Sequence, residues 1–184
     1  MSNEPRRAGR HFLQIPGPTP VPERVLSAMS RHMLDHRGLE FQKLGKRVLQ
    51  GVKGLFKTAH HVIIYPSSGT GAWEAALTNT LSPGDKVLMC ETGQFAVLWA
   101  GMAQKLGLVH DVLPTDWRVA ADGNTFEAKL RADKAHEIKA ICVVHNETST
   151  GCRSRIDEIR KALDAANHPA LLMVDTISSL ACTD

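Results

Sequence analysis

The 184-residue sequence has no run that approaches the ~18 consecutive apolar residues of a membrane span. It has no block of like charge either. Lys and Arg number 22 against 19 Asp and Glu, which leaves +3 with neutral His, too mild to point to nucleic acid. The opening MSNEPRRAGRHF lacks the apolar core of a signal peptide. The four cysteines, Cys90, Cys142, Cys152 and Cys182, form no C-x-x-C pair and no zinc-ribbon spacing, which excludes a small disulfide scaffold. Internal repeats and low-complexity stretches are absent too. What remains, at 43% hydrophobic and 22% charged residues, is the composition of an ordinary globular protein of about one domain. The expectation is a soluble, cytoplasmic protein with reduced thiols and neither nucleic acid nor membrane as partner. Cys90 and Cys142, inside VLMC and AICVV, read as small core hydrophobes.

His32 and His36 are four apart, a spacing that puts two ligands on one helical face. The glutamate of H-E-x-x-H and a third ligand are missing, so no metal site is expected. The pair reads instead as polar residues around a helix end before Gly38.

Residues 1–20 read as an extended arm, because Pro16, Pro18, Pro20 and Pro22 push their predecessors out of helical geometry. A helix is predicted from Pro22 through ERVLSAMSRHML, and a second after Gly38 with Phe41, Leu44, Val48, Leu49, Val52, Leu55 and Phe56 at the 3.6-residue period. Beyond residue 61 five apolar runs, VIIYP, VLMCE, VHDVL, IKAICVVH and ALLMVD, alternate with the helical segments AWEAALTNTL, FAVLWAGMAQKLG, TFEAKLRAD and SRIDEIRKALDAA. Gly107 is predicted to end the second of these helices and Ser154 to open the last. Unbroken apolar strands separated by helices predict an α/β fold, a mostly parallel sheet with helices on both faces.

Such sheets bind ligands at the strand C-terminal ends. Ser67–Ala72 offers small residues and a helix start suited to a phosphate, without the lysine of a P-loop. Gly69, Gly71 and Glu91 also allow a nucleotide-binding Rossmann oxidoreductase, although Glu74 stands where a third small residue belongs. HNETSTG brings amide, hydroxyl and carboxylate groups that could orient a polar ring. Asp175 leaves a buried strand and needs a partner there, for which a protonated ring nitrogen would serve. Phosphate cradle, nearby aromatic (Phe95), hydroxyl cluster and carboxylate together fit a phosphorylated pyridine such as pyridoxal 5′-phosphate.

QIPGPTPVPERVLSAM, DHRGLEF, YPSSGTGAWEAALTNTLSPGDKVLM, KAICVVHNETSTG and HPALLMVDTISSL closely resemble the serine–glyoxylate aminotransferases, class V enzymes of fold type I. The resemblance runs from about residue 10 to the end. It implies pyridoxal 5′-phosphate as cofactor, an amino acid (serine) and a 2-oxo acid (glyoxylate) as substrates, and a homodimer at full length. It implies further that Thr70, Gly71 and Ala72 hold the phosphate, that Phe95 and Ile177 contact the two ring faces, that Thr148 bonds the phenolic oxygen, and that Asp175 pairs with the ring nitrogen. It places His36, Arg37 and the PGPT arm near the active-site mouth or the dimer contact. Family members are about twice this long, and their Schiff-base lysine is expected beyond Asp184, so no catalytic residue is assigned. Residues 21–184 then read as the N-terminal portion of an incomplete, truncated fold-type I large domain, and the chain alone is expected to be inactive. The alternatives are the Rossmann oxidoreductase and a non-catalytic fragment or dimerisation module.

Overall fold

The computed structural model describes Leu13 and residues 15–183. The remainder of the arm expected over residues 1–20 lies outside the described residues. Two compact units divide the chain, one ending at Gly51 and the other starting at Val52. Among the described residues no helix is long and apolar enough to cross a membrane.

The first unit carries α1 (Glu23–Met29) and most of α2 (Leu39–Leu55). The helix starts one residue later than predicted, with Pro22 at its N-cap, and it ends at Met29, nine residues before Gly38, instead of running through Leu34. The Ser30 hydroxyl and N–H both bond to the Leu26 carbonyl, closing the last turn, and no α1 residue is buried against anything that would reward a longer helix. His32 and His36 therefore do not share a helical face, and no metal-binding cluster occurs among the described residues.

The second unit contains α3 (Gly69–Thr80), β1 (Lys86–Glu91), α4 (Gln94–Lys105), β2 (Val109–Pro114), α5 (Gly123–Ala132), β3 (Ile138–Val144), α6 (Ile156–Ala165) and β4 (Leu171–Asp175). The four strands form one parallel sheet in the order β2-β1-β3-β4. Four of the five apolar runs are thus strands. VIIYP is not: among the described residues nothing completes a ladder with it, and Ile63 is left 75% exposed. A continuous apolar run signals burial on both faces, but a strand also needs a neighbour.

Strand side chains alternate between two cores. Leu88, Cys90, Ile141 and Val143 pack against Phe126 and Leu130 of α5 and Ile159 and Leu163 of α6. Val87, Met89, Ala140, Cys142 and Val144 pack against Trp73 and Leu77 of α3 and Ala96, Trp99, Ala100 and Ala103 of α4. Both strand cysteines are core residues, and burial pushes their thiols up to about 11 and about 12, far from the reactive thiolate range. Gly107 follows the end of α4 at φ 79°, with Gly107 N–H on Gln104 and Leu108 N–H on Ala103. Those two bonds make a Schellman closure, which needs a residue tolerant of positive φ. Ser154 does not cap α6. Its hydroxyl accepts from the Ala121 N–H instead, and the helix starts two residues later.

Candidate active site at the strand C-terminal edge

The helix that opens the site is uncapped. Ser68 stands at the N-cap of α3, but its side chain makes no capping hydrogen bond. The first bond into the helix is Ala72 N–H to the Ser68 carbonyl at 3.3 Å, so among the described residues no acceptor reaches the N–H groups of Gly69, Thr70 and Gly71. These amides carry the positive end of the helix dipole. Gly71 is required here for space: a β-carbon would come within 2.1 Å of the Ser67 hydroxyl. Thr70 and Ala72 are exposed, and Gly71 is half-buried.

Asp175 ends β4 on the same face and is 8% exposed. Trp73, one helical turn into α3, donates its indole N–H to Asp175 Oδ2 at 2.9 Å. The Ile177 N–H donates to Oδ1 at 2.8 Å, so the carboxylate also closes the following turn. Each oxygen keeps a lone pair for a further donor. Trp73 stacks on Trp99 (5.5 Å between centroids, 8° between planes) and meets Phe95 edge-on at 6.4 Å. Ile177, 66% exposed, approaches Gly69, where a β-carbon would meet its Cγ1 at 3.4 Å. Ala72, Trp73, Trp99, Asp175 and Ile177 line a cavity of about 460 Å³. The Trp99 N–H is buried without a partner among the described residues.

Phe95 and Thr148 do not line that cavity, but the structure ties them to each other. HNETSTG follows β3, and its Glu147 is completely buried against the start of α4. Phe95 and Ala96 donate their N–H groups to the Glu147 carboxylate at 3.3 and 3.2 Å. Sequence reasoning expected this carboxylate to face a ligand. It is turned inward, because α4 begins at Gly93, which has no side chain to cap it. The amide and hydroxyl neighbours are also engaged, Asn146 with Ser178 and Ser149 with Glu147. Thr148 is half-buried, and its hydroxyl has no hydrogen-bond partner among the described residues.

His145 and Ser179 also lie at this edge, 2.9 Å apart between Nδ1 and Oγ. Burial, helped by the positive charge of Arg153, holds the imidazole below its ordinary pKa and favours the neutral ring. Trp73 is not among the residues that the sequence marks as candidates, whereas His145 and Glu147 belong to HNETSTG and Ser179 to the segment after β4. His36 and Arg37 are exposed, and the Arg37 N–H bonds Asp35. Both belong to the first unit.

The Rossmann alternative fails on topology. There the strand before the glycines must lie beside the strand after the helix. Both sides of β1 are taken, by β2 and β3, and residues 61–65 are outside the sheet. Glu91, the proposed ribose ligand, instead accepts the Trp117 indole N–H at 3.1 Å.

Comparison with known proteins points the same way. The model of the family described as aminotransferase class V matches residues 11–182. The serine–glyoxylate aminotransferase of Methylorubrum extorquens is 51% identical over 176 residues, covering 95% of this chain and 44% of that protein. The L-aspartate–glyoxylate aminotransferase of Paracoccus denitrificans is 47% identical over 171 residues, covering 92% of this chain and 43% of that protein. The structure of an aspartate aminotransferase of subgroup IV from Thermus thermophilus superposes with a TM-score of 0.86 at 26% identity, over 95% of this chain and 48% of that one. The chain thus spans under half the length of the relatives it matches.

Proposed function

Because the chain belongs to the class V aminotransferases, we propose that the protein carrying it moves an amino group between an amino acid, serine first, and glyoxylate, with pyridoxal 5′-phosphate as cofactor. The observation that carries this reading is the pairing of an uncapped helix start with a buried carboxylate, Gly69–Gly71 and Asp175, on one face of the sheet. The residues fit the group. Open amides and the Thr70 hydroxyl suit a phosphate, and an oriented, nearly buried carboxylate favours a protonated nitrogen. When bound, the cofactor supplies an electron sink for the substrate carbanion.

In this reading Thr70, Gly71 and Ala72 hold the phosphate by N–H groups at the start of α3. Asp175 keeps the proton on the ring nitrogen, and Trp73 fixes the rotamer in which it does so. Phe95 and Ile177 contact the ring, while the free hydroxyl of Thr148 donates to the phenolic oxygen. No described residue is assigned the α-proton. The arm over residues 1–20, the placing of His36 and Arg37 at the mouth, a homodimer and a cytoplasmic location belong to the same proposal and rest on the resemblance. So does the inactivity of this chain alone.

The test is amino transfer from serine to glyoxylate by the protein that carries these residues, with aspartate and alanine as competing donors. Asp175→Ala should cost far more activity than Phe95→Leu, because loss of ring protonation weakens the electron sink while a lost ring contact weakens only binding. Near-equal losses would contradict the role of Asp175. Cofactor binding with no transfer from any donor would favour the non-catalytic module.

A further inference from the structure

Glu147 lies three residues beyond β3 and is 0% exposed, so its charge needs partners in the protein. It has four. Oε1 accepts the Phe95 N–H at 3.3 Å, the Ser149 N–H at 3.2 Å and the Ser149 hydroxyl at 2.8 Å, and Oε2 accepts the Ala96 N–H at 3.2 Å. The Ser149 hydroxyl in turn accepts the Gln94 N–H at 3.0 Å. The first three amides of α4 are therefore satisfied by side chains from a loop more than 50 residues away in sequence. Only glycine at position 93 admits this arrangement, since a β-carbon there would fall within 2.4 Å of Glu147 Cγ and 2.7 Å of Ser149 Oγ.

Capping alone would need only the amides. The extra bonds through Ser149 lock the loop onto the helix, and Thr148 sits between the two anchoring residues with its own hydroxyl free. Loop residues Thr150 and Gly151 also donate their N–H groups to the Glu147 carbonyl, at 3.1 and 2.7 Å. We propose that Glu147 is a positioning residue: it fixes the Phe95 backbone and the Thr148 loop at one spacing, so that ring contact and hydroxyl meet the cofactor without being ordered at binding. This rests on the pyridoxal phosphate reading above.

The test titrates pyridoxal 5′-phosphate into the protein that carries these residues, unaltered and as Glu147→Gln and Ser149→Ala, well below their melting temperatures. Fold is checked by far-UV circular dichroism, affinity by quenching of tryptophan emission, and ring placement by the visible dichroism induced in the bound cofactor. Glutamine keeps one accepting oxygen but turns an NH2 group toward an α4 amide, donor against donor. Glu147→Gln should stay folded, bind roughly tenfold more weakly and show a reduced induced signal. Ser149→Ala leaves the carboxylate in place and should bind about threefold more weakly; it decides the question if Glu147→Gln does not fold. A folded Glu147→Gln, or Ser149→Ala in its stead, with unchanged affinity and unchanged induced signal overturns the positioning role and leaves the cofactor reading standing. Absence of saturable binding by the unaltered protein overturns both.

Discussion

Two helices on one face of the sheet start in opposite electrostatic conditions. α3 and α4 both begin in glycine-containing turns, and neither is capped by its own N-cap side chain. At α4 the protein places its own anion, the Glu147 carboxylate, on the amides. At α3 the equivalent amides face outward with no acceptor among the described residues. A buried helix start must be satisfied from within, whereas an open one is available to an external anion. On the proposed reading, that difference separates a structural terminus from one left open for a phosphate.

The largest effect in breaking this comparison should come from emptying α4. Glu147→Ala leaves four donors, three amides and the Ser149 hydroxyl, without their acceptor and should cost about 3–5 kcal/mol of stability, measured by urea unfolding. Gly93→Ala should follow at about 1–3 kcal/mol, because the added methyl meets the carboxylate stem rather than open space. Trp73→Phe keeps the stack on Trp99 but removes the N–H on Asp175. Its cost should be about 1–2 kcal/mol, with weaker cofactor binding as the accompanying sign. The smallest effect has the opposite sign. Ser68→Asp gives α3 an internal anion of its own and should raise stability by about 0.5–1 kcal/mol while lowering affinity for pyridoxal 5′-phosphate. If Ser68→Asp left that affinity intact, the open amides would not be the phosphate site.

The contrast between the two helix starts was only half legible in sequence. Small residues before AWEAALTNTL announced the open α3, and Asp175 announced itself by ending an apolar strand. HNETSTG marks Glu147 as a ligand group, and its capping role could not be read, because a remote carboxylate that caps a helix looks like any polar residue in a loop. The one local signal was Gly93, a helix start with no side chain to cap it. Trp73 carries no signal beyond its place in the helical AWEAALTNTL, and its N–H on Asp175 became visible only once topology brought β4 beside α3. Ser154 misled for the converse reason: its residue type suits an N-cap, but its hydroxyl is already taken by the Ala121 amide. VIIYP shows the same limit for strands, since the apolar pattern specifies burial and a ladder specifies a partner.

The central claim, that an anion sits at α3 and not at α4, is tested most directly by amide chemical shifts during a titration with inorganic phosphate followed by pyridoxal 5′-phosphate. With phosphate, the amides of Gly69, Thr70 and Gly71 should shift saturably while those of Gln94, Phe95 and Ala96 stay in place. With the cofactor, the same three amides should shift again, at lower concentration, together with the Trp73 indole. Static α3 amides alongside saturable shifts at Gln94–Ala96 would contradict the account.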